Sequence, residues 1–292
     1  MAKKKKPVAS RVSYRINKGK LKIKKGEYVD INPIVEYSTK EAVVSRLDNI
    51  ISQEDVVIDT ADCRVNIQTY MMNELYTAEM FARTNVNKLY TIALPISKKN
   101  ALNVFDFMGT SILSAILRTS TFCYSVNKLM KGFGGVTPEN IIINGWEDLN
   151  KDDCSNFTNV LYVPKVLEFI DFNKGKIRKD GMFSFNTLVL AIPSKDKMSD
   201  NEEEVSVTDA ASRVIADICD AAIKCGCKDL IVNPFGHKYL AKSKSDTAKL
   251  WKQISTSQRF IENFDSVTFA VEDEDDFVIF DSVNSSKAVG IM

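Results

Sequence analysis

The sequence predicts an α/β protein with a mostly parallel sheet, and the prediction depends on residues 210–273. A helix, a buried strand, a glycine-containing loop, a second helix and a second buried strand follow one another along this stretch. This order is typical of parallel strands that are connected by helices. Because such sheets bind ligands outside the carboxyl ends of their strands, the loop at residues 233–239 is the candidate ligand loop.

The composition is that of an ordinary globular protein. The chain has 292 residues, of which 45% are hydrophobic and 26% charged, and its formal net charge is +1. A chain of this length buries roughly 75% of its unfolded surface, so a large core is possible. No apolar run reaches the roughly 20 residues that span a bilayer, and no apolar segment follows the first lysines as in a signal peptide. We therefore expect no membrane contact and a cytoplasmic location, or a virion if the protein is viral.

The N-terminal segment differs from the rest of the chain. Residues 1–25 include nine lysines and few apolar residues until Leu21. We expect a basic arm over 1–25 and one α/β domain over 26–292, with a short hairpin around Gly26. The arm is either solvated and flexible or a contact for nucleic acid or an acidic surface, since lysines attract phosphates without reading sequence. The lysines proposed for such a contact are Lys3, Lys4, Lys5 and Lys6.

Apolar spacing predicts the remaining elements. In the first half of the chain, helices are expected over 41–52, 62–83 and 110–124, and strands over 56–59 and 89–95. In the second half, strands are expected over 140–146, 159–164, 166–171, 187–192, 230–232 and 266–271, and helices over 208–225 and 247–254. The acidic, polar segment 194–204 is expected to be a surface loop.

Several of these strings, in this order, resemble the microbial poly(ADP-ribose) glycohydrolases, a macrodomain-type family. The resemblance covers most of residues 26–280 and is strongest in the last hundred. The family's strand, glycine loop, helix and strand are similar to residues 230–239, 247–251 and 267–271, and its Tyr-Ser-Pro strand pair is similar to residues 162–169. The resemblance implies a macrodomain-like three-layer α/β/α fold with a mixed, mostly parallel central sheet.

The catalytic segment departs from this family. Its members carry three consecutive glycines that approach the diphosphate, and then Gln-Glu-Glu at a helix start, where the second Glu protonates the leaving oxygen. A gapless comparison aligns residues 102–104 with the glycines and Ile112, Leu113 and Ser114 with Gln-Glu-Glu. Because loss of a general acid costs about 10²–10⁴ in rate, we expect a degenerate glycohydrolase without catalytic residues.

The second ligand loop of the family is partly kept. Gly236 matches one of its glycines, whereas Lys238 stands where another is expected. If the pocket still binds a nucleotide, the expected contacts are Asn233, Phe235, Gly236, His237 and Lys238. His237, the only histidine, is either such a contact or an exposed loop residue.

Other motifs favour structural roles, so no metal and no cofactor are expected. One histidine without carboxylates at ligand spacing does not make a zinc site. Cys225 and Cys227 are too closely spaced for the usual metal or redox pair, and Gly226 is typical of a helix end. The six cysteines suit free thiols in a reducing compartment. The glycines at 132–135 favour a turn, and the acids at 272–276 either form a solvated loop or dock a basic segment.

Two functions of different classes follow. The first is a non-catalytic assembly component, for instance of a phage particle, that contacts other subunits in an oligomer. Apolar residues in the loop aligned with the glycines favour it, because they suit packing or an interface better than a diphosphate site. These residues are Leu102, Val104, Phe105, Phe107 and Met108. The alternative is a module that binds ADP-ribose or a related nucleotide, or a residual ADP-ribosyl glycohydrolase.

Overall fold

The computed structural model gives the chain a central sheet, two smaller sheets and flanking helices. The described residues are 16–17, 20–24, 27–47, 65–98, 110–129, 157–171, 174, 176–178, 181–198 and 205–285. Predictions for residues 1–15, 56–59, 101–108, 132–135 and 140–146 lie outside these ranges. The lysine contact, the apolar loop and the turn at 132–135 therefore stay predictions.

Twelve strands and eight helices occur in this part of the chain. The strands are β1 (Ile16–Asn17), β2 (Lys20–Lys24), β3 (Glu27–Asp30), β4 (Val43–Arg46), β5 (Asn66–Met71), β6 (Thr91–Ser97), β7 (Asn159–Glu168), β8 (Ile170–Asp171), β9 (Lys176–Ile177), β10 (Phe183–Ile192), β11 (Asp229–Val232) and β12 (Ser266–Val271). The helices are α1 (Asn32–Lys40), α2 (Glu74–Thr84), α3 (Ile112–Thr119), α4 (Phe122–Leu129), α5 (Val207–Lys224), α6 (Lys244–Ser255), α7 (Gln258–Asn263) and α8 (Glu274–Ser285).

The central sheet has seven strands in the order β4-β7-β10-β6-β11-β12-β5. Four neighbouring pairs, from β10 to β5, are parallel. β7 pairs antiparallel with both β4 and β10, so it alone among the seven runs in the opposite direction. The mixed, mostly parallel sheet expected from the sequence is confirmed.

Different helices cover the two faces of this sheet. Along β10, Leu188, Leu190 and Ile192 belong to one buried cluster, whereas Val189 and Ala191 belong to the other. The first cluster includes residues of α5, α6, α7 and α8, and the second includes residues of α2, α3 and α4. This alternation is that of a strand buried on both sides. The predicted three-layer α/β/α arrangement is therefore confirmed.

Two of the predicted helices are wrong, because each contains residues that form an outer strand of the central sheet. Within the helix predicted over 41–52, Val43–Arg46 is the outer strand β4, paired with β7. Within the helix predicted over 62–83, Asn66–Met71 is the other outer strand, and α2 begins only at Glu74. Both segments are strands because they pair with strands that are distant in sequence. The local spacing of apolar residues contains no information about such partners.

The helix predicted over 110–124 is two helices separated at Ser120. This residue is extended, with φ −131° and ψ 178°, and it forms a bridge with Glu168 of β7. Its hydroxyl donates to the carbonyl oxygen of Ile116 at 2.7 Å and accepts from the Phe122 N–H at 3.1 Å. Ser120 thus ends α3 and caps α4, since a serine hydroxyl can satisfy backbone groups at a helix end.

The strands predicted over 159–164 and 166–171 are largely one strand, β7, with an irregularity at Lys165. This residue has a positive φ of 52°, and the pairing with β10 shifts register between Phe185 and Thr187. The Lys165 N–H donates to Asn186 Oδ1 at 2.9 Å, and the Lys165 carbonyl accepts from the Ser38 hydroxyl at 3.2 Å. These bonds hold a β-bulge, so Pro164 does not end the strand.

The acidic segment 272–276 starts a helix rather than a loop. Glu274, Asp275 and Asp276 form the first turn of α8, and Asp273 Oδ1 accepts from the Asp275 N–H at 3.0 Å. Negative side chains are favourable at a helix N-terminus because they complement its partial positive charge. Asp276 also pairs with Lys244 of α6. The prediction of a docking surface at these acids stays untested.

The hairpin predicted around Gly26 is present as antiparallel β2 and β3. Leu21 of β2 is fully buried and clusters with Ile31 and Phe169. β2 therefore packs on the folded body, although it lies within the segment 1–25 that the sequence assigns to the arm. The boundary between arm and domain stays a prediction.

The four cysteines that the structure describes, and the end of α5, agree with the sequence. Cys123, Cys219, Cys225 and Cys227 are free thiols. α5 ends at Lys224, and Gly226 has a φ of +68°, as expected for a glycine that follows a helix. In the described part of the chain, no helix is both long and apolar enough to cross a membrane.

A buried ion network connects α2 to β7 and to the segment after β9. Arg178 donates two hydrogen bonds of 2.6 Å to the carboxylate of Glu79 and one of 3.0 Å to Glu168. Glu168 is completely buried, and its Oε2 has no partner. Burial raises the pKa of Glu168 to about 8, although Arg178 opposes the shift.

We predict that Arg178→Met destabilises the protein by about 3–5 kcal/mol, because it removes a buried guanidinium that donates three hydrogen bonds to the carboxyl groups of Glu79 and Glu168. Arg83→Met is the matched control, since Arg83 also binds Glu79 but its side chain is 59% exposed. We expect the control to cost less than about 1 kcal/mol. Urea unfolding at pH 7 measures both values, and equal small losses would contradict a structural role for the network.

Candidate functional site

The candidate site lies at the edge of the sheet where the parallel strands end. This edge carries the carboxyl ends of six strands, at Arg46, Met71, Ser97, Ile192, Val232 and Val271. The described residues that follow β5, β10, β11 and β12, and the N-termini of the helices after these strands, lie at this edge. Ligands of parallel α/β sheets bind at such an edge, as the sequence analysis expects for the loop after β11.

The loops after β10 and β11 meet above the end of β6. The Tyr239 hydroxyl in the second loop accepts a hydrogen bond from the Lys195 N–H in the first. β6 lies between β10 and β11 in the sheet, so this contact crosses the end of β6. A side chain at Gly236 would place its Cβ 3.3 Å from the Asn233 carbonyl oxygen and 3.8 Å from Cγ of Pro95. Gly236 thus permits a close backbone turn against β6.

Two residues of the predicted ligand set maintain the loop itself. Asn233 Oδ1 accepts from the Phe235 N–H at 2.9 Å, and the Asn233 carbonyl accepts from the Gly236 N–H at 3.2 Å. The Phe235 ring is buried and packs edge-on against Phe280 of α8, with 6.0 Å between centroids. Their role as ligand contacts stays a prediction, while their role in the turn is visible in these bonds.

His237 is buried, so the alternative of an exposed loop residue is wrong. Only 3% of it is exposed, because its ring packs against that of Tyr239 at 4.8 Å between centroids. Nδ1 accepts a hydrogen bond of 3.4 Å from the Tyr239 N–H, whereas Nε2 has no partner. Burial, and secondarily the charge of Lys238, lowers the pKa of His237 to about 4. The imidazole is therefore neutral at physiological pH, with its proton on Nε2.

Lys238 is exposed, and its ammonium lies 4.7 Å from the centroid of the Tyr239 ring. Across the contact between the two loops, Lys195 and Lys197 belong to a short 3₁₀ turn with Asp196. A hydrogen bond from Ser194, and more weakly the charge of Lys238, lowers the pKa of Asp196. Three of these four described side chains are cations and one is an anion.

The N-terminus of α3 carries hydroxyls at the position that the resemblance aligns with the family's Gln-Glu-Glu. Ser111 caps the helix and accepts from the Ser114 N–H at 3.2 Å. The Ser111 and Ser114 hydroxyl oxygens lie 3.0 Å apart, and Ser114 is only 2% exposed. Leu113 is buried in the core, and the first turn contains no acid. Neither hydroxyl can act as the proton donor that a carboxylic acid provides.

A carboxyl group that the sequence analysis missed lies at the same edge, at the start of α2. Glu74 is 6% exposed, and burial raises its pKa to about 7, with Glu272 adding to the shift. Asn73 caps the helix by accepting from the Tyr76 N–H at 3.0 Å, and it donates to Glu272 Oε1 at 3.3 Å. The order of Asn before Glu is a helix-start signal, but the helix predicted over 62–83 obscured it.

In the part of the chain that the structure describes, no group of three His, Cys, Asp or Glu side chains is placed to hold a metal ion. The site therefore consists of backbone groups, lysines, one neutral imidazole and carboxyl groups. This set is suited to hydrogen bonding with a polar ligand.

Solved structures of microbial poly(ADP-ribose) glycohydrolases share this architecture. The poly(ADP-ribose) glycohydrolase of Thermomonospora curvata superposes with a TM-score of 0.66 at 15% identity, over 94% of this chain and 97% of that one. The chain has the fold of the microbial poly(ADP-ribose) glycohydrolases. The Deinococcus radiodurans poly(ADP-ribose) glycohydrolase in complex with ADP-ribose superposes with a TM-score of 0.59 at 13% identity, over 87% of this chain and 98% of that one.

The glycohydrolase likeness confirms the macrodomain-like architecture inferred from the sequence. No protein-family profile matches the chain, and no curated protein matches it by sequence. At 13–15% identity the likeness to the glycohydrolases establishes the fold alone. The chemistry at the edge must therefore be argued from this chain's own residues.

We predict that Glu74 makes stability fall as pH rises. Its folded pKa of about 7 exceeds the ordinary value of 4.5, so its contribution is complete below pH 4.5 and is lost as pH rises through 7. A shift of this size corresponds to about 3 kcal/mol. Compared with wild type, Glu74→Gln should gain about that much between pH 4 and pH 8 in urea unfolding. Glu262→Gln, at an exposed acid of α7, should follow wild type at both pH values. A Glu74→Gln curve parallel to wild type would contradict the prediction.

Proposed function

We propose that this protein binds ADP-ribose, or a nucleotide of the same chemistry, without hydrolysing it. The observation that carries the proposal is the first turn of α3, where Ser111 and Ser114 bond to each other in place of an acid. The fold of a glycohydrolase known in complex with ADP-ribose supports the choice of ligand. Together they describe a binding frame whose proton donor is missing.

Binding is supported by the donors at the carboxyl edge. Gly236 has no side chain where the loop turns closely against β6, so a ligand can approach the loop backbone. Lys238 on this loop and Lys195 on the facing loop add positive charge. Such a surface favours a phosphate-containing ligand, because ammonium groups donate to its oxygens.

Loss of hydrolysis follows from the chemistry of the missing group. Cleavage of the glycosidic bond requires a proton for the leaving oxygen, and a positioned acid contributes about 10²–10⁴ in rate. Serine hydroxyls do not provide that proton. Glu74 is a partly protonated carboxyl near neutral pH at the same edge, so it is the residue to examine if any turnover is found.

Binding is tested by calorimetry and thermal unfolding with ADP-ribose. We expect saturable binding, and at a hundredfold excess over Kd a gain of about 2.7 kcal/mol in unfolding free energy. Adenosine is the comparison ligand, since it lacks the phosphates. No thermal shift at millimolar ADP-ribose would contradict the binding proposal.

Hydrolysis is tested separately with poly(ADP-ribosyl)ated protein as substrate and release of ADP-ribose as readout. We expect no release above the uncatalysed rate from the wild-type chain. Release that Glu74→Gln abolishes would assign the acid to Glu74 and would contradict the non-hydrolytic proposal. An active glycohydrolase assayed in parallel controls for the quality of the substrate.

A second candidate function is that of an assembly component, for instance in a virion, through contacts with other subunits. Two large apolar side chains at one end of the sheet favour it: Met71 of β5 is 56% exposed and Val278 of α8 is 57% exposed. β5 is the last strand in the sheet order, and α8 packs against it. Exposed apolar residues beside a terminal strand are features of interfaces. In this proposal Lys3, Lys4, Lys5 and Lys6 contact nucleic acid or an acidic partner.

Light scattering after size exclusion tests the assembly proposal. We expect a defined oligomer for the wild-type chain and a smaller species for Met71→Lys with Val278→Lys, because lysines oppose burial of this surface. Val86→Lys is the control, since Val86 is 81% exposed in the turn after α2. A wild-type monomer at 100 μM, or equal oligomers for all variants, would contradict an interface at β5 and α8.

A further inference from the structure

The loop after β11 contains a buried hydrogen-bond donor that the protein does not use. His237 is 3% exposed, and its Nδ1 is occupied by the N–H of Tyr239 at 3.4 Å. The remaining ring nitrogen, Nε2, therefore carries the proton and has no acceptor. Buried donors are nearly always paired, and an unpaired one needs an explanation such as an absent ligand or water.

The position of this donor points to a ligand. His237 lies two residues before Tyr239, whose hydroxyl accepts from the Lys195 N–H above the end of β6. Its ring packs on the ring of Tyr239, with 4.8 Å between the centroids and 50° between the ring planes. The imidazole therefore belongs to the carboxyl edge of the sheet and not to its interior.

The charges around the ring indicate the class of acceptor. The loop with His237 carries the exposed cation Lys238 and contains no acid over residues 233–243. The described part of the facing turn carries Lys195, Asp196 and Lys197. An anionic oxygen is therefore the favoured acceptor for an N–H on this acid-free loop that protein atoms leave unpaired.

We propose that the His237 Nε2–H donates a hydrogen bond to an anionic oxygen of the bound ligand and thereby selects phosphate-containing nucleotides. The inference rests on the proposed binding function and names a side chain that determines its specificity. The imidazole acts as a neutral donor, because a second proton on Nδ1 would face the N–H of Tyr239. Binding should consequently be insensitive to His237 ionisation between pH 6 and pH 8.

Two substitutions distinguish the hydrogen-bond donor of His237 from the packing of its ring. His237→Leu removes the N–H and keeps most of the volume, whereas His237→Gln carries an amide N–H that reaches about as far as Nε2. Calorimetry with ADP-ribose, ADP and adenosine measures affinity, and thermal unfolding without ligand measures stability. Lys242→Ala is the control, because Lys242 is an exposed cation on the same loop.

We expect His237→Leu to weaken ADP-ribose and ADP by about 10-fold or more, as for hydrogen bonds to charged acceptors, and to leave adenosine unchanged. His237→Gln should recover most of the affinity. Without ligand, His237→Leu should melt at or above the wild-type temperature, because it removes a buried unpaired donor. Lys242→Ala should bind ADP-ribose within about threefold of wild type, as for a single exposed charge.

Affinity of His237→Leu within twofold of wild type would overturn the inference and leave the proposed function standing. Equal loss of affinity in the Leu and Gln variants, with lower melting temperatures for both, would assign His237 a structural role and also overturn it. A wild-type chain that binds none of the three ligands would contradict both the inference and the proposed function.

Discussion

The structure depends on burial of its central sheet on both faces. Alternate residues of β10 enter two separate apolar clusters, one under α5 and α6 and the other under α2, α3 and α4. Strands buried in this way need every backbone group paired along the sheet, so their polar loops are confined to its edges. Because all strands of the central sheet except β7 run in one direction, the described residues that follow β10, β11 and β12 lie at one edge. The candidate site exists because of this arrangement.

The edge differs from a hydrolytic site in how its polar groups are used. At the start of α3 the hydroxyls of Ser111 and Ser114 satisfy each other and the helix N-terminus. On the loop after β11 the amide of Gly236 bonds to the Asn233 carbonyl, and Phe235 enters the core. Much of the polar chemistry in these segments therefore maintains the fold. The unpaired Nε2 of His237 is an exception among these groups.

The sequence was sufficient where local pattern and burial agree. β12 occupies the predicted residues 266–271, because a short continuous apolar run indicates a buried strand. α5 lies within one residue of its predicted bounds, because apolar residues at helical spacing indicate a helix. It was insufficient for the outer strands β4 and β5, whose conformations depend on partners far along the chain. The same limit applies to the candidate site. The loop at Gly236 was predicted, whereas the burial of His237 and the raised pKa of Glu74 arise from packing between distant elements.

The pairing of β5 with β12 has a consequence for synthesis of the protein. Gln68 of β5 donates a hydrogen bond of 3.1 Å to Thr268 of β12, and the two residues are 200 positions apart. During translation β5 emerges long before its partner, and contacts of such separation form late because the intervening chain must first be ordered. The strand is thus exposed until the ribosome has released the last strand of the sheet. Folding of the central sheet is therefore completed only after most of the polypeptide has been made.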